Sequence, residues 1–244
     1  MLLAFSTGPL AGAGAEDAPP GIDVRTIEAR QDPAWFAGWR SGSLRAIAEG
    51  DLRGALGPLD AADQVHLVAA APVAPGDLGY LRDAWAVARG LVARGATIVL
   101  DVHAMTYRAA AEVPAEGAGF DARREIRIIF ETSTDRPDGA HALHTRGLRK
   151  LGAPDLVALC TDADVELVGA VITQIAVAVA GGAELAPRDH AVDLDEHTTW
   201  HLVGDDHGLD GLLQLNNAAR VLVDGDGAHL VGVAARVQAA RMRS

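Results

Sequence analysis

The sequence predicts an α+β fold, a sandwich of helices packed on a largely antiparallel sheet. Two strand–helix units of similar length are the first observation behind this. Asp63-Gln-Val-His-Leu-Val68 precedes a capped helix that ends in Ala93-Arg-Gly-Ala96, and Asp155-Leu-Val-Ala-Leu159 precedes one that ends in Ala180-Gly-Gly-Ala183. The second is how sparse such units are elsewhere, since a doubly wound parallel sheet needs steady strand–helix alternation. The third is composition: 49% apolar and 22% charged residues in a chain of 244, enough to bury a core without disulfides or metals. A single α+β domain over residues 1–244 is expected, with two related strand–helix halves dividing near 104–122.

In order along the chain, Leu2–Phe5 reads as a first strand. It lacks the basic flank and the long apolar run of a signal peptide. Ile22–Ile27 alternates apolar and polar residues and predicts a half-buried strand. Asp32-Pro33 starts a short helix, because aspartate caps free N–H groups and proline suits the first helical position. Its Trp35, Phe36 and Trp39 are read as core anchors. Ser43 is the expected cap of a second helix with an apolar stripe at Leu44, Ile47, Ala48, Leu52 and Ala55, stopped by Gly57-Pro58. Val65–Ala71, a helix capped by Asp77 and stopped by Gly95, and Thr97–Leu100 form a β–α–β pattern, with a right-handed crossover expected between parallel strands. Residues 104–122 read as an irregular excursion. Glu125–Phe130 is the clearest strand, and a turn follows at Thr132–Gly139.

Leu156–Cys160 is a further strand, after which Asp162 or Asp164 caps a helix over Val165–Ala180 that is apolar nearly all round and therefore expected to be buried. The uncharged stretch Leu167–Ala183 holds 17 residues, including Thr173, Gln174 and two glycines, and suits a core helix better than a membrane span. Leu212–Asn216 and Ala219–Val223 look like strands. Asp224-Gly-Asp-Gly227 predicts a tight turn with His229–Ala234 as its hairpin partner, and the basic tail is helical.

The net charge of −12 argues against nucleic acid and against an anionic membrane surface as partners, leaving a protein or a small molecule. The lone Cys160, set in an apolar run, excludes an intramolecular disulfide and reads as a buried, inert thiol. A cytoplasmic location is expected.

No nucleophile elbow, P-loop, dinucleotide-binding glycine fingerprint or H-E-x-x-H motif is present. Three constellations remain. In the first, His197 and His201 are four residues apart and share a face on helix or strand, so two imidazoles can converge on one cation. Asp205 or His207 can add a third ligand, and Asp195 or Asp206 a carboxylate. No cofactor is expected otherwise; zinc or another divalent metal is the alternative at this cluster, where it would activate water for hydrolysis. In the second, Asp101 and His103 follow a strand end and suit an acid–base pair. The third is His141–Leu156, in which His144, Arg146 and Arg149 can form an anion site, arginine offering a bidentate fork. Gly147 and Gly152 equally serve bends, and a structural role is the favoured reading of this stretch.

His144-Thr-Arg-Gly-Leu-Arg-Lys-Leu-Gly-Ala-Pro-Asp-Leu156 resembles the signature of an uncharacterised bacterial domain family, T-x-G-[LM] followed by F/L-G-x-P-[DE]-[LI] before a long apolar helix. The resemblance spans residues 95 to 225, with Leu151 where phenylalanine is common. It implies a shared α+β domain and no mechanism. The expected function is a non-catalytic bacterial cytoplasmic binding or interaction domain. The alternatives are a metal-dependent hydrolase using residues 195–207 and a small-anion-binding domain at Arg146 and Arg149.

Overall fold

The computed structural model describes residues 1–11, 18–70, 77–119, 121–132, 139–186, 188–196, 198–204 and 219–241. It is an α+β fold with helices packed on two largely antiparallel sheets. The chain divides into two compact units, Met1–Phe120 and Asp121–Ser244. None of the helices among the described residues is long and apolar enough to cross a membrane.

The first unit contains β1 (Leu2–Ser6), β2 (Ile22–Glu28), α1 (Pro33–Gly38), α2 (Gly42–Asp51), α3 (Gly57–Ala61), β3 (Gln64–Ala70), α4 (Gly79–Ala93), β4 (Ile98–Asp101) and β5 (Thr106–Ala109). Its five strands lie in the order β2-β3-β1-β4-β5, every neighbouring pair antiparallel. β1 is buried at every residue because both sheet faces are covered. Successive side chains point to opposite faces, so Leu3 and Phe5 pack with Phe36, Ala48, Leu52 and Leu59 of the short helices. Leu2 and Ala4 pack with Leu81, Trp85, Ala88 and Leu91 of α4. Each leucine or phenylalanine among them, fully removed from water, contributes about 1.5–3 kcal/mol. β3 and β4 run parallel, as the β–α–β pattern requires, but β1 lies between them.

Several local expectations are corrected here. Asp32 caps α1 as predicted, its Oδ1 accepting from the Trp35 N–H at 3.0 Å. The second helix begins after Ser41 rather than Ser43, and Gly57-Pro58 opens α3 instead of stopping α2. Asp77 lies just outside its helix and accepts from the Gly79 N–H at 2.8 Å. The segment 104–122 contributes β5, too short to be recognised without its neighbour β4.

The second unit contains α5 (Ala122–Glu125), β6 (Arg127–Glu131), β7 (His141–Arg146), β8 (Asp155–Cys160), α6 (Val165–Ala180), β9 (Asp189–Asp195), β10 (Thr198–Val203), β11 (Ala219–Val223) and α7 (Val233–Arg241). The six strands lie in the order β6-β7-β8-β11-β10-β9, and only β8 and β11 pair in parallel. The two units thus have different strand orders. α6 packs on β7 and β8, burying Val168, Val171, Ile172, Ile175, Ala176 and Val179. Its outer side is open, with Glu166, Ala170, Gln174 and Ala178 exposed and Val177 51% exposed. The expectation of an all-round buried helix therefore does not hold; small residues on that outer side make it apolar without hiding it. His229–Ala234 is not a hairpin partner for β11. Leu230 bridges in parallel to Cys160 at the end of β8, and helix α7 begins at Val233. The turn before it does form, with Asp224 accepting from the Asp226 and Ala228 N–H groups. The predicted strand Leu212–Asn216 and most of the Thr132–Gly139 turn lie outside the described residues.

Candidate functional site

The stretch His141–Leu156 builds a hairpin. β7 and β8 pair antiparallel from His141 opposite Cys160 to His144 opposite Val157. Between them a single 3-10 turn, Leu148–Leu151, is flanked by Gly147 and Gly152, both left-handed with φ 117° and 78°. An L side chain is strained in that region of backbone space, which explains both glycines. The strand character of His141–Arg146 is masked in the sequence by its polar residues.

Those polar residues are engaged within the protein. Asp155, fully buried, accepts from the Thr145 hydroxyl at 3.0 Å and from the Leu148 N–H at 3.2 Å. Thr145 Oγ1 in turn accepts from the Leu156 N–H at 2.9 Å. One threonine–aspartate pair therefore ties both strands and the turn, and every backbone group it satisfies is one that water cannot reach. Lys150 is buried as well. Its Nζ lies 2.9 Å from Glu125 Oε2, with side-chain exposures of 3% and 1%, and Arg124 Nε donates to the other oxygen at 2.9 Å. This cation neutralises a carboxylate in the core. His144 is fully buried, and its Nε2 lies 3.0 Å from Glu131 Oε1; a carboxylate only accepts, so Nε2 carries the proton. Of the anion candidates, Arg146 is half-buried at the end of β7, directly opposite Arg127 of β6, and Arg149 is exposed on the turn.

Of the histidine cluster, His197, Asp205 and His207 lie outside the described residues. His201 lies on β10, the strand favoured for this segment, and its Nδ1 is 2.8 Å from Asp189 Oδ1 on β9. Such a carboxylate fixes the imidazole orientation and presents Nε2. Among the described residues no group of three or more His, Cys, Asp or Glu side chains stands where it could hold one metal ion.

Asp101 is fully buried at the end of β4, and its Oδ1 accepts from the N–H groups of His103 and Ala104, both at 3.1 Å. It closes a turn by hydrogen bonding to the chain ahead of it, as aspartate commonly does. Asp101 is the last residue of the strand and His103 lies beyond it.

Two polar centres have no local signature in the sequence. His66 on β3 is buried between Ser6 on β1 and Thr26 on β2, with Nε2 3.0 Å from Ser6 Oγ and Nδ1 2.9 Å from Thr26 Oγ1. Ser6 has a single proton and donates it to the Gly8 carbonyl at 2.9 Å. It therefore accepts from Nε2–H, and Nδ1 accepts from Thr26. In this arrangement the serine is not handing its proton to a base. Burial, then the charge of Arg94, holds the imidazole below its usual pKa and favours this neutral form. Asp164, also buried, joins distant segments. Its carboxylate accepts from Thr161 Oγ1 at 2.6 Å and from the N–H groups of Gly232 and Ala234 at 2.8 and 2.9 Å, at the start of α7. Cys160 is buried, and burial followed by the charges of Asp164 and Asp162 pushes its thiol up to about 11, the state of an inert cysteine.

No family model, curated protein or solved structure matches the chain.

Proposed function

We propose that the chain is a non-catalytic α+β binding or interaction domain that acts in a bacterial cytoplasm and takes a protein or a small molecule as its partner. One observation carries the reading: the densest polar stretch, His141–Leu156, uses Thr145 and Asp155 to hold its own hairpin, and Lys150 and His144 to tie that hairpin to Glu125 and Glu131 of its neighbours. The acidic charge and the single buried cysteine agree with that compartment. Membership of the bacterial domain family resembled by the motif is part of the same proposal.

A second reading, a metal-dependent hydrolase, is favoured by the Asp189–His201 contact, which orients an imidazole as metal sites require. His197, Asp205 and His207 would supply further ligands. A third, small-anion capture, rests on Arg146 and Arg149 at the turn end of the hairpin. Elemental analysis of the untagged protein, with thermal shift in phosphate and carboxylates, separates the three. The interaction-domain reading expects substoichiometric metal and no anion stabilisation. One zinc per chain, lost in the His197→Ala/His201→Ala variant, overturns it for the hydrolase. Stabilisation by phosphate that Arg146→Ala removes overturns it for anion capture.

A further inference from the structure

β6 is an edge strand; among the described residues it pairs only with β7. Edge strands commonly protect themselves by alternating polar residues or by charge. The other edges follow that rule: β2 reads Ile-Asp-Val-Arg-Thr-Ile-Glu, β5 reads Thr-Tyr-Arg-Ala, and β9 carries Asp189, Asp193 and Asp195. β6 reads Arg-Ile-Ile-Phe-Glu, three large apolar residues in a row, so both of its faces are apolar. That is the pattern of a strand inside a sheet, yet none of its residues is buried and Ile128 is 37% exposed.

We propose that two copies of the chain join through β6, antiparallel, about a two-fold axis at Ile129, making one twelve-stranded sheet from two six-stranded ones. The strand is self-complementary in this register. Arg127 faces Glu131 of the second copy, Ile128 faces Phe130, and Ile129 faces its own equivalent. The carboxylate of Glu131, which holds the His144 imidazole of its own chain through one oxygen, arrives on the sheet face that Arg127 of the other copy occupies. Moving the axis by one residue sets Arg127 against Ile129 and leaves the charges unmatched. The opposite edge cannot serve in the same way, because antiparallel self-pairing of β9 about Val192 sets Asp189 against Asp195. The dimer stands apart from the functional reading above, since it is compatible with a binding domain or an enzyme.

Sedimentation velocity of the full chain tests it. The expected species has twice the 25.3 kDa chain mass. Arg127→Glu, which sets two carboxylates face to face, and Ile128→Lys, at an exposed position, are each expected to weaken association at least tenfold while leaving the circular dichroism spectrum unchanged. Amide exchange in the unmodified chain needs no variant: protection of residues 128–130 is expected to rise with protein concentration. A chain that stays monomeric, a dimer indifferent to both variants, or exchange in β6 independent of concentration would each overturn the proposal.

Discussion

Replacing Lys150 by methionine removes a buried ammonium while keeping most of its volume. Glu125 stays behind, 1% exposed, with Arg124 still donating to it. Breaking a buried pair by removing one partner costs about 3–5 kcal/mol, because the other charge is left in a medium that solvates it poorly. The Arg124 contact compensates in part, which places the expectation near about 3 kcal/mol, the lower end of that range. The double variant Lys150→Met/Glu125→Leu removes both charges and is expected to recover most of the loss, since apolar replacement of a whole buried pair is often neutral. Urea unfolding followed by circular dichroism measures the parent, the double variant and both single variants, Glu125→Leu included, and the cycle isolates the coupling. If Lys150→Met unfolds within about 0.5 kcal/mol of the parent, the ordinary range of a surface substitution, then Lys150 is not a core cation. The structural reading of the motif would lose one of its main supports.

Two further outcomes follow from the buried polar centres. His66 has a folded pKa depressed by burial and by Arg94, so its contribution to stability is full above the unfolded value of about 6.5 and is lost as pH falls below it. Urea midpoints of the parent are expected to drop between about pH 7 and pH 5 more steeply than those of His66→Gln; parallel profiles would show that the imidazole is not held neutral. For Asp164, burial alone raises the carboxyl, but hydrogen bonds from Thr161 and from the Ala234 and Gly232 amides outweigh it and hold it below its ordinary value. Its contribution is present above about pH 4 and is lost as pH falls through the folded pKa. Asp164→Ala is expected to cost about 2–3 kcal/mol and to speed amide exchange at Gly232 and Ala234; unchanged exchange there would show that α7 is anchored by other contacts.

What the sequence made legible was whatever depends on neighbours along the chain. The apolar runs of β1, β3, β4 and β8 announce themselves, and so do the spacing of Leu81, Trp85 and Ala88 on α4 and the Asp32 cap. Elements stabilised across the sheet were hidden. β5 is four residues long and needs β4, while β9 carries three aspartates and needs β10. β7 looks polar because the groups that satisfy it, Glu131 and Asp155, lie on other strands. The same limit governs the candidate sites. Lys150 gives no local sign of its burial because its partner Glu125 is 25 residues away. The Ser6–His66–Thr26 chain joins three strands and leaves no motif in any one of them. The tail reads as helical, but the start of α7 at Val233 falls inside the span that reads as a hairpin strand, because the carboxylate at its first turn, Asp164, comes from some seventy residues earlier. Glycines were the exception: Gly147 and Gly152 marked the bends because backbone conformation is a local property.

The central claim is that the polar residues of His141–Leu156 serve the hairpin itself, and a double-mutant cycle on Thr145 and Asp155 tests it most directly. Asp155→Ala strands the Thr145 hydroxyl and the Leu148 N–H in the core, and Thr145→Val strands the Leu156 N–H. Each orphaned buried donor costs about 1–3 kcal/mol, so both single variants are expected to lose at least that much in urea unfolding. A coupling energy of about 1 kcal/mol or more between the two sites is expected as well. Residues kept for a ligand behave in the opposite way, and replacing them leaves stability unchanged or raises it. Single variants as stable as the parent, with no coupling between them, would contradict the account.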